Sequence, residues 1–268
     1  MLRTLLILTF LLFRPQPDMT VSPDKDFRDI GSARKLSGKT YVLVLFVSEK
    51  GQKEWSKAET RPVMEKIHKA TGWISKKSKL YGVKNEFKVY SLGSKEPIKL
   101  KNIPQGPGPK AGSSDILRVA MQSAGFEDGF DFFGYAKEKT SCDNCLVLIV
   151  SNTKGRSYAT PESREAYMKN IKTGCAPHQL ESCLIFSKYS DGRNIAAPTI
   201  AHEILHLFGA TDLYDNNTQK NELMGKHFPN SIMRRINYTF DKLELDPLTA
   251  YLTGLTDTCK EWYMKFVK

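Results

Sequence analysis

The sequence predicts an α+β fold in which a twisted, mixed and mostly parallel sheet of about five strands packs against long helices. Two observations predict this class. Apolar runs of strand length recur along the chain, and a long amphipathic stretch separates the first two of them. Of the 268 residues, 40% are hydrophobic and 26% are charged, so the chain can bury a large core and is neither disordered nor collagen-like. We assign residues 39–268 to a single domain.

The first elements are predicted to be a strand, a helix and a second strand. Residues 41–47 (YVLVLFV) are a continuous apolar run, which is typical of a strand buried on both faces. In the mostly polar stretch 53–81, apolar residues then recur at helical spacing, which predicts an amphipathic helix. Apolar and polar residues alternate at 87–89, as in a half-buried strand. This order predicts two parallel strands joined by a crossover helix.

Further strands are predicted in the middle of the chain. Residues 146–150 (LVLIV) and 184–186 (LIF) have the composition of buried strands, and residues 155–159 that of a short edge strand. Ser114 is predicted to cap a short helix. A group of phenylalanines is assigned to the core and not to a ligand cleft, because aromatic clusters are usually buried: Phe126, Phe130, Phe132 and Phe133.

The N-terminus is predicted to direct export. Residues 5–13 (LLILTFLLF) follow Arg3 and have the length of the apolar part of a signal peptide, well short of the roughly 20 residues that span a bilayer. We therefore assign residues 1–17 to a signal peptide and residues 18–38 to a leader or linker. The mature protein is expected to be secreted, without a stable membrane span. A small-residue cleavage site is missing, so an uncleaved anchor or a buried N-terminal strand remains an alternative.

Charge and cysteine content complete this picture. The formal charge of +11 is spread along the chain without a cluster of basic and aromatic residues, so we interpret it as a solvated surface. We therefore expect no nucleic-acid partner. We also expect the protein to be a monomer. An exported chain with five cysteines is expected to contain one or two disulfides and a remaining thiol. Their connectivity is open, and the pair in Cys142-x-x-Cys145 is interpreted as structural and not as a redox motif.

Residues 197–212 (APTIAHEILHLFGATD) carry the clearest chemical signal. Their apolar spacing predicts a helix that ends at Gly209. His202 and His206 are four residues apart, so their imidazoles point the same way and can share one Zn²⁺ ion. Glu203 adjoins the first histidine and is placed to take a proton from a zinc-activated water. Gly209 allows a sharp turn that can bring Asp212 back as a third ligand.

The string from His202 to Asp212 resembles the extended zinc signature of the metzincin metallopeptidases, with aspartate in place of their usual third histidine. Aspartate at this position is found in small secreted bacterial proteases of the snapalysin type. The resemblance implies a zincin fold with a smaller C-terminal subdomain, and it implies that Met233, within residues 230–233 (NSIM), forms the Met-turn beneath the zinc. Arg235 stands where some members have a tyrosine ligand, so that role is not transferred. Residues 246–252 are predicted to form a capped closing helix.

The resemblance implies a zinc-dependent endopeptidase that hydrolyses peptide bonds, with Glu203 as general base. An extended protein or peptide substrate is expected to lie antiparallel to the edge strand near Tyr158. Three alternatives remain open at this point. A related zinc enzyme would use Glu222 as third ligand, and an inactive zinc-binding protein would keep the metal without turnover. A basic nucleic-acid binder is the third.

Overall fold

The computed structural model describes residues 20–21, 31–101, 103, 113–127, 129–162 and 180–267. The predicted signal peptide, residues 22–30 of the predicted leader and Cys175 lie outside these residues. The strands are β1 (Thr20–Val21), β2 (Gly38–Glu49), β3 (Asn85–Leu92), β4 (Ile98–Leu100), β5 (Asn144–Lys154), β6 (Tyr158–Thr160), β7 (Ser182–Lys188) and β8 (Cys259–Lys260). The helices are α1 (Lys57–Ser78), α2 (Ser113–Ser123), α3 (Gly129–Thr140), α4 (Ala197–Leu207), α5 (Thr218–His227) and α6 (Pro247–Leu252), with 3₁₀ turns at Lys79–Tyr81 and Glu261–Phe266.

A six-stranded sheet forms the centre of the fold, as the apolar runs predict. Its order is β3-β2-β5-β7-β6, and β4 pairs with β2 beyond the end of β3. The paired strands are parallel except β6, which runs antiparallel to β7 at the edge. The mixed, mostly parallel sheet and its short edge strand are thereby confirmed. The sequence missed β4, because three residues are too few to show an alternating pattern.

The predicted crossover helix joins β2 to the parallel strand β3. Its N-terminus is fixed by a capping box, in which the Glu59 carboxylate accepts a hydrogen bond from the Ser56 backbone N–H at 3.0 Å. The helix buries one apolar face, which includes Val63, Ile67 and Ile74. Among the helices that the structure describes, none is both long and apolar enough to cross a bilayer.

Helices cover both faces of the sheet. Alternate residues of β2 enter two different cores, with Val42 and Val44 on the side of α1 and α4, and Leu43 and Leu45 on the side of α2 and α3. Phe132 is fully buried in the second core and contacts Phe126 edge to face, with ring centroids 5.2 Å apart. This confirms the assignment of Phe132 to the core. The apolar faces of α1 and α4 share the first core, so α4 lies on the same face of the sheet as the crossover helix.

Residues just before the predicted domain boundary pack against the described domain. Ala33 and Leu36 are fully buried, although the sequence places both in the leader. The Ala33 N–H donates to the buried carboxylate of Glu181 at 2.6 Å, and the Leu36 N–H donates to the Thr253 carbonyl at 2.9 Å. Residues 31–38 therefore belong to the folded domain. Farther toward the N-terminus, Thr20 and Val21 of β1 pair with Lys260 and Cys259 of β8.

The predicted disulfides are absent at three of the five cysteines. Cys142, Cys145 and Cys183 are buried thiols outside any disulfide. Burial raises the pKa of Cys145 and Cys183, which keeps both sulfurs protonated. Cys142 and Cys145 belong to the core on the side of α2 and α3, and Cys183 belongs to the opposite core. These residues therefore pack as small core side chains, and the expectation of disulfides is wrong for them. The Cys183 thiol also donates a hydrogen bond to the Glu203 carbonyl at 3.2 Å.

Candidate metal centre and substrate cleft

Helix α4 carries His202, Glu203 and His206, and its sequence explains how it is oriented. Pro198 lies in the first turn, where its missing N–H costs nothing. One face of the helix is completely buried in the core: Ile200, Ala201, Ile204 and Leu205. With that face fixed, the two histidines and Glu203 line an open cleft on the other side. The predicted helix is thereby confirmed.

The end of α4 is a turn that requires Gly209. Its φ of +88° is a left-handed conformation that residues with a side chain resist. The Gly209 N–H donates to the His206 carbonyl at 2.9 Å, and the Ala210 N–H donates to the Leu205 carbonyl at 3.1 Å. These are the two hydrogen bonds of a Schellman helix end. The chain reverses here, and the reversal returns Asp212 to the side of the helix that carries the histidines.

Three donor atoms converge at this point. The Nε2 atoms of His202 and His206 lie 3.1 Å apart, and Asp212 Oδ1 lies 3.3 Å from the first and 3.1 Å from the second. A tetrahedral zinc ion with bonds of about 2.0–2.1 Å keeps its ligand atoms about 3.3 Å from one another. The three atoms are therefore spaced as ligands of a single metal ion, and the cluster could hold one.

The other ring nitrogen of each histidine is already occupied by a backbone carbonyl. His202 Nδ1 lies 3.1 Å from the Ile232 carbonyl, and His206 Nδ1 lies 2.7 Å from the Ala210 carbonyl. A carbonyl only accepts, so each Nδ1 donates its proton. Each Nε2 then keeps its lone pair for a metal. Such outer contacts fix the tautomer and the ring orientation of metal-binding histidines.

Asp212 is held by a chain of polar side chains that the sequence did not reveal. The Tyr214 hydroxyl interacts with the Asp212 carboxylate, and Arg156 Nη2 donates to that hydroxyl at 3.1 Å. Burial, and the charge of Asp212 beside it, raise the pKa of Tyr214 to about 12. Burial opposes the charge on Asp212, but the adjacent imidazoles of His202 and His206 hold its pKa well below the usual range. The third donor is therefore an oriented carboxylate.

Glu203 lies beside the cluster and is not one of its converging donors. It is 7% exposed and lines the cleft. Burial raises the pKa of Glu203, and the nearby side chains of His202 and His206 partly offset this rise. Glu203 is therefore a buried carboxyl group of the cleft that is separate from the three converging donors.

Residues 231–233, here called the floor segment, contact the site through the Ile232 carbonyl, which lies 3.1 Å from His202 Nδ1. Met233 is fully buried, and its carbonyl accepts a hydrogen bond from the Leu213 N–H at 2.8 Å. Its own N–H donates to Ser231 Oγ at 3.0 Å. Ser231 Oγ in turn donates to the buried carboxylate of Asp246 at 2.6 Å, and Asp246 also caps α6 through two N–H groups. The floor segment is thus joined both to the residue after Asp212 and to the closing helix.

A cleft of about 690 Å³ opens above the cluster. The cluster and Glu203 line its base, β6 and the preceding residues 155–157 line one part of its wall, and residues 235–238 line another. Tyr158, the predicted substrate contact on the edge strand, is among the lining residues and is mostly buried. The structure therefore brings the edge strand and the metal cluster into one cavity.

The rival third ligand does not reach this cavity. Glu222 lies on α5, is exposed, and is outside both the cleft lining and the group of converging donors. The sequence missed Arg156 and Tyr214, which are 58 residues apart in the chain and meet only in the fold. The sequence also missed the contact of the Ile232 carbonyl with His202, because every residue has a backbone carbonyl and the residue type does not show which one is used. Tyr214 was the one detectable signal, since it follows Asp212 by two residues.

Comparison with known proteins does not extend this picture. No protein-family model matches the sequence, and no curated protein shows significant similarity to it. The geometry of the cluster and its cleft must therefore support any functional interpretation.

Proposed function

We propose that this chain is a secreted, monomeric zinc-dependent endopeptidase with a zincin fold, in which Met233 marks the Met-turn. One observation supports the proposal most strongly. Two imidazole nitrogens and one carboxylate oxygen converge at 3.1–3.3 Å, and each imidazole has its second nitrogen committed to a carbonyl. A core that needed only hydrogen-bonded histidines would not point both Nε2 atoms at each other.

The donor set fits zinc. Two neutral imidazoles and one carboxylate are common ligands of catalytic zinc, and three protein ligands leave a fourth position for water or substrate. His202, His206 and Asp212 would hold the ion. When bound, it would polarise the scissile carbonyl and make an attacking water more acidic.

The remaining chemistry belongs to Glu203. Its carboxylate lines the same cleft, so it can accept a proton from the water that attacks the peptide carbonyl. It can then return this proton to the leaving amine, which completes hydrolysis without net proton consumption by the protein. A site that only stores a metal for stability does not need a carboxylate at this place.

The cleft also supports an extended substrate. Among the strands that the structure describes, β6 pairs with β7 alone, so its other side could pair with a peptide backbone. The cavity that contains the cluster is lined by Tyr158 and Ala159 of this strand and by Ser157, which precedes it. A peptide added to the edge would therefore carry its backbone past Glu203, and Tyr158 would contact it.

The test measures metal content and hydrolysis of casein together. The purified chain should bind about one zinc ion, and a chelator should abolish hydrolysis. Glu203→Gln should keep the metal and lose most turnover, whereas Glu222→Gln, a matched change at an exposed carboxylate, should alter neither. Bound zinc without hydrolysis would identify a zinc-binding protein that lacks catalysis. Loss of metal from Glu203→Gln would contradict its assignment as a base.

A further inference from the structure

The cleft is lined by more arginine side chains than have partners within the described part of the protein. Three arginines line it: Arg156, Arg193 and Arg235. Two of the carboxylates in the lining, Glu203 and Asp212, belong to the metal end of the cavity. The role of one of these arginines, Arg235, is not explained by the proposed hydrolysis.

Two of these arginines have partners inside the protein. Arg156 donates to the Tyr214 hydroxyl at 3.1 Å. Arg193 Nε donates to Asp191 at 2.8 Å, and its Nη2 donates to the Tyr238 hydroxyl at 2.7 Å. The Arg193 guanidinium also stacks over the Tyr238 ring at 4.4 Å from its centroid. These contacts fix both side chains and satisfy much of their hydrogen-bonding capacity.

Arg235 differs from both. It is exposed, it lines the cleft, and within the described part of the chain no carboxylate lies within ion-pair distance of its guanidinium. Beside it, Ile236 and Tyr238 are 57% and 48% exposed, which is unusual for large apolar side chains and leaves an apolar surface next to the charge. A glutamate side chain has the matching form, an apolar stem with an anionic end that a guanidinium binds through two parallel hydrogen bonds.

We infer that Arg235 is a specificity-determining residue that selects substrates with an acidic side chain, and this inference rests on the proposed peptidase function. The acidic side chain would lie along Ile236 and pair with the Arg235 guanidinium. The net charge of +11 acts in the same direction at longer range, because it attracts acidic polypeptides to the protein as a whole. Any test must therefore separate the local charge from the overall one.

The experiment uses the zinc-loaded full chain and a set of fluorescent peptides that differ only by Glu, Gln or Lys at each position around a central bond. Hydrolysis and binding are measured in parallel. At one position, Glu should exceed Gln by about fivefold in kcat/KM, near the upper limit for a solvent-exposed ion pair. Arg235→Glu should reverse the order, so that Lys becomes the preferred residue at that position alone.

The matched control is Arg61→Glu. Arg61 lies on α1 with an 84% exposed side chain, outside the cleft lining, and this change alters the net charge equally. It should weaken all acidic peptides slightly and keep the positional preference. Hydrolysis without a Glu preference, or equal effects of the two variants, would overturn the inference while leaving the peptidase proposal intact. Binding that prefers Glu through Arg235 without any hydrolysis would support the inference and refute the peptidase.

Discussion

Replacing Gly209 with alanine should destabilise the protein and loosen its metal site. The residue has a φ of +88°, and a left-handed conformation costs a residue with a Cβ atom about 1–2 kcal/mol. The new Cβ would also lie 3.3 Å from the Leu252 carbonyl oxygen, closer than ordinary contact. We expect the free energy of unfolding to fall by about 1–2 kcal/mol, which lowers Tm by about 2–4 °C for each kcal/mol.

The same substitution at Gly72 provides a control with the opposite sign. Gly72 is an exposed residue inside α1, and a Cβ added there meets nothing within 4 Å. Because glycine is a poor helix former, Gly72→Ala should stabilise the protein by up to about 1 kcal/mol. Urea unfolding in the presence of a chelator measures both variants without the contribution of bound metal. Equal stability of the Gly209→Ala protein and the parent would refute the role of this turn.

Three further predictions concern the ligands and a buried acid. Asp212→Ala should lower zinc affinity by at least about 100-fold, more than loss of an outer contact does, whereas Glu222→Ala should leave a zinc titration unchanged. Tyr214→Phe removes the hydroxyl beside the Asp212 carboxylate and should weaken zinc about tenfold, whereas an unchanged affinity would mean that Arg156 and Tyr214 do not orient this ligand. Burial raises the pKa of Glu181 to about 8, so the folded state binds more protons than the unfolded state between its ordinary value and pH 8. Stability should therefore fall as pH rises through this window, by up to about 1.4 kcal/mol per pH unit, and Glu181→Gln should flatten this slope in urea unfolding at pH 6, 7 and 8.

The convergence of His202, His206 and Asp212 could be predicted because its determinants are local. The spacing of His202 and His206, the helix break at Gly209 and the return of Asp212 all lie within eleven residues. Helical geometry fixes the direction of the two imidazoles, and the glycine marks the reversal. The strands were predictable for a similar reason, since a strand buried on both faces is apolar throughout.

The support around the metal site could not be predicted, because it depends on contacts between distant residues. Arg156 meets Tyr214 across 58 residues, and the His202 contact at Ile232 spans 30. Residues 31–38 are polar enough to be taken for a linker, yet Ala33 is held by Glu181, 148 residues away. Disulfides were expected because the chain was predicted to be exported, but export does not determine whether two cysteine sulfurs lie close together in the fold.

The floor segment, residues 231–233, should control how long a metal ion stays bound. The Ile232 carbonyl orients His202, Met233 is tied to Leu213, and Ser231 is anchored on the same Asp246 carboxylate that starts the closing helix. A local opening of residues 231–233 would therefore release one ligand ring and disturb the strand of chain that carries Asp212 at the same moment. The rate of metal loss should then follow the rate of local opening of this buried segment. Hydrogen exchange of its backbone amides should slow when the ion is bound.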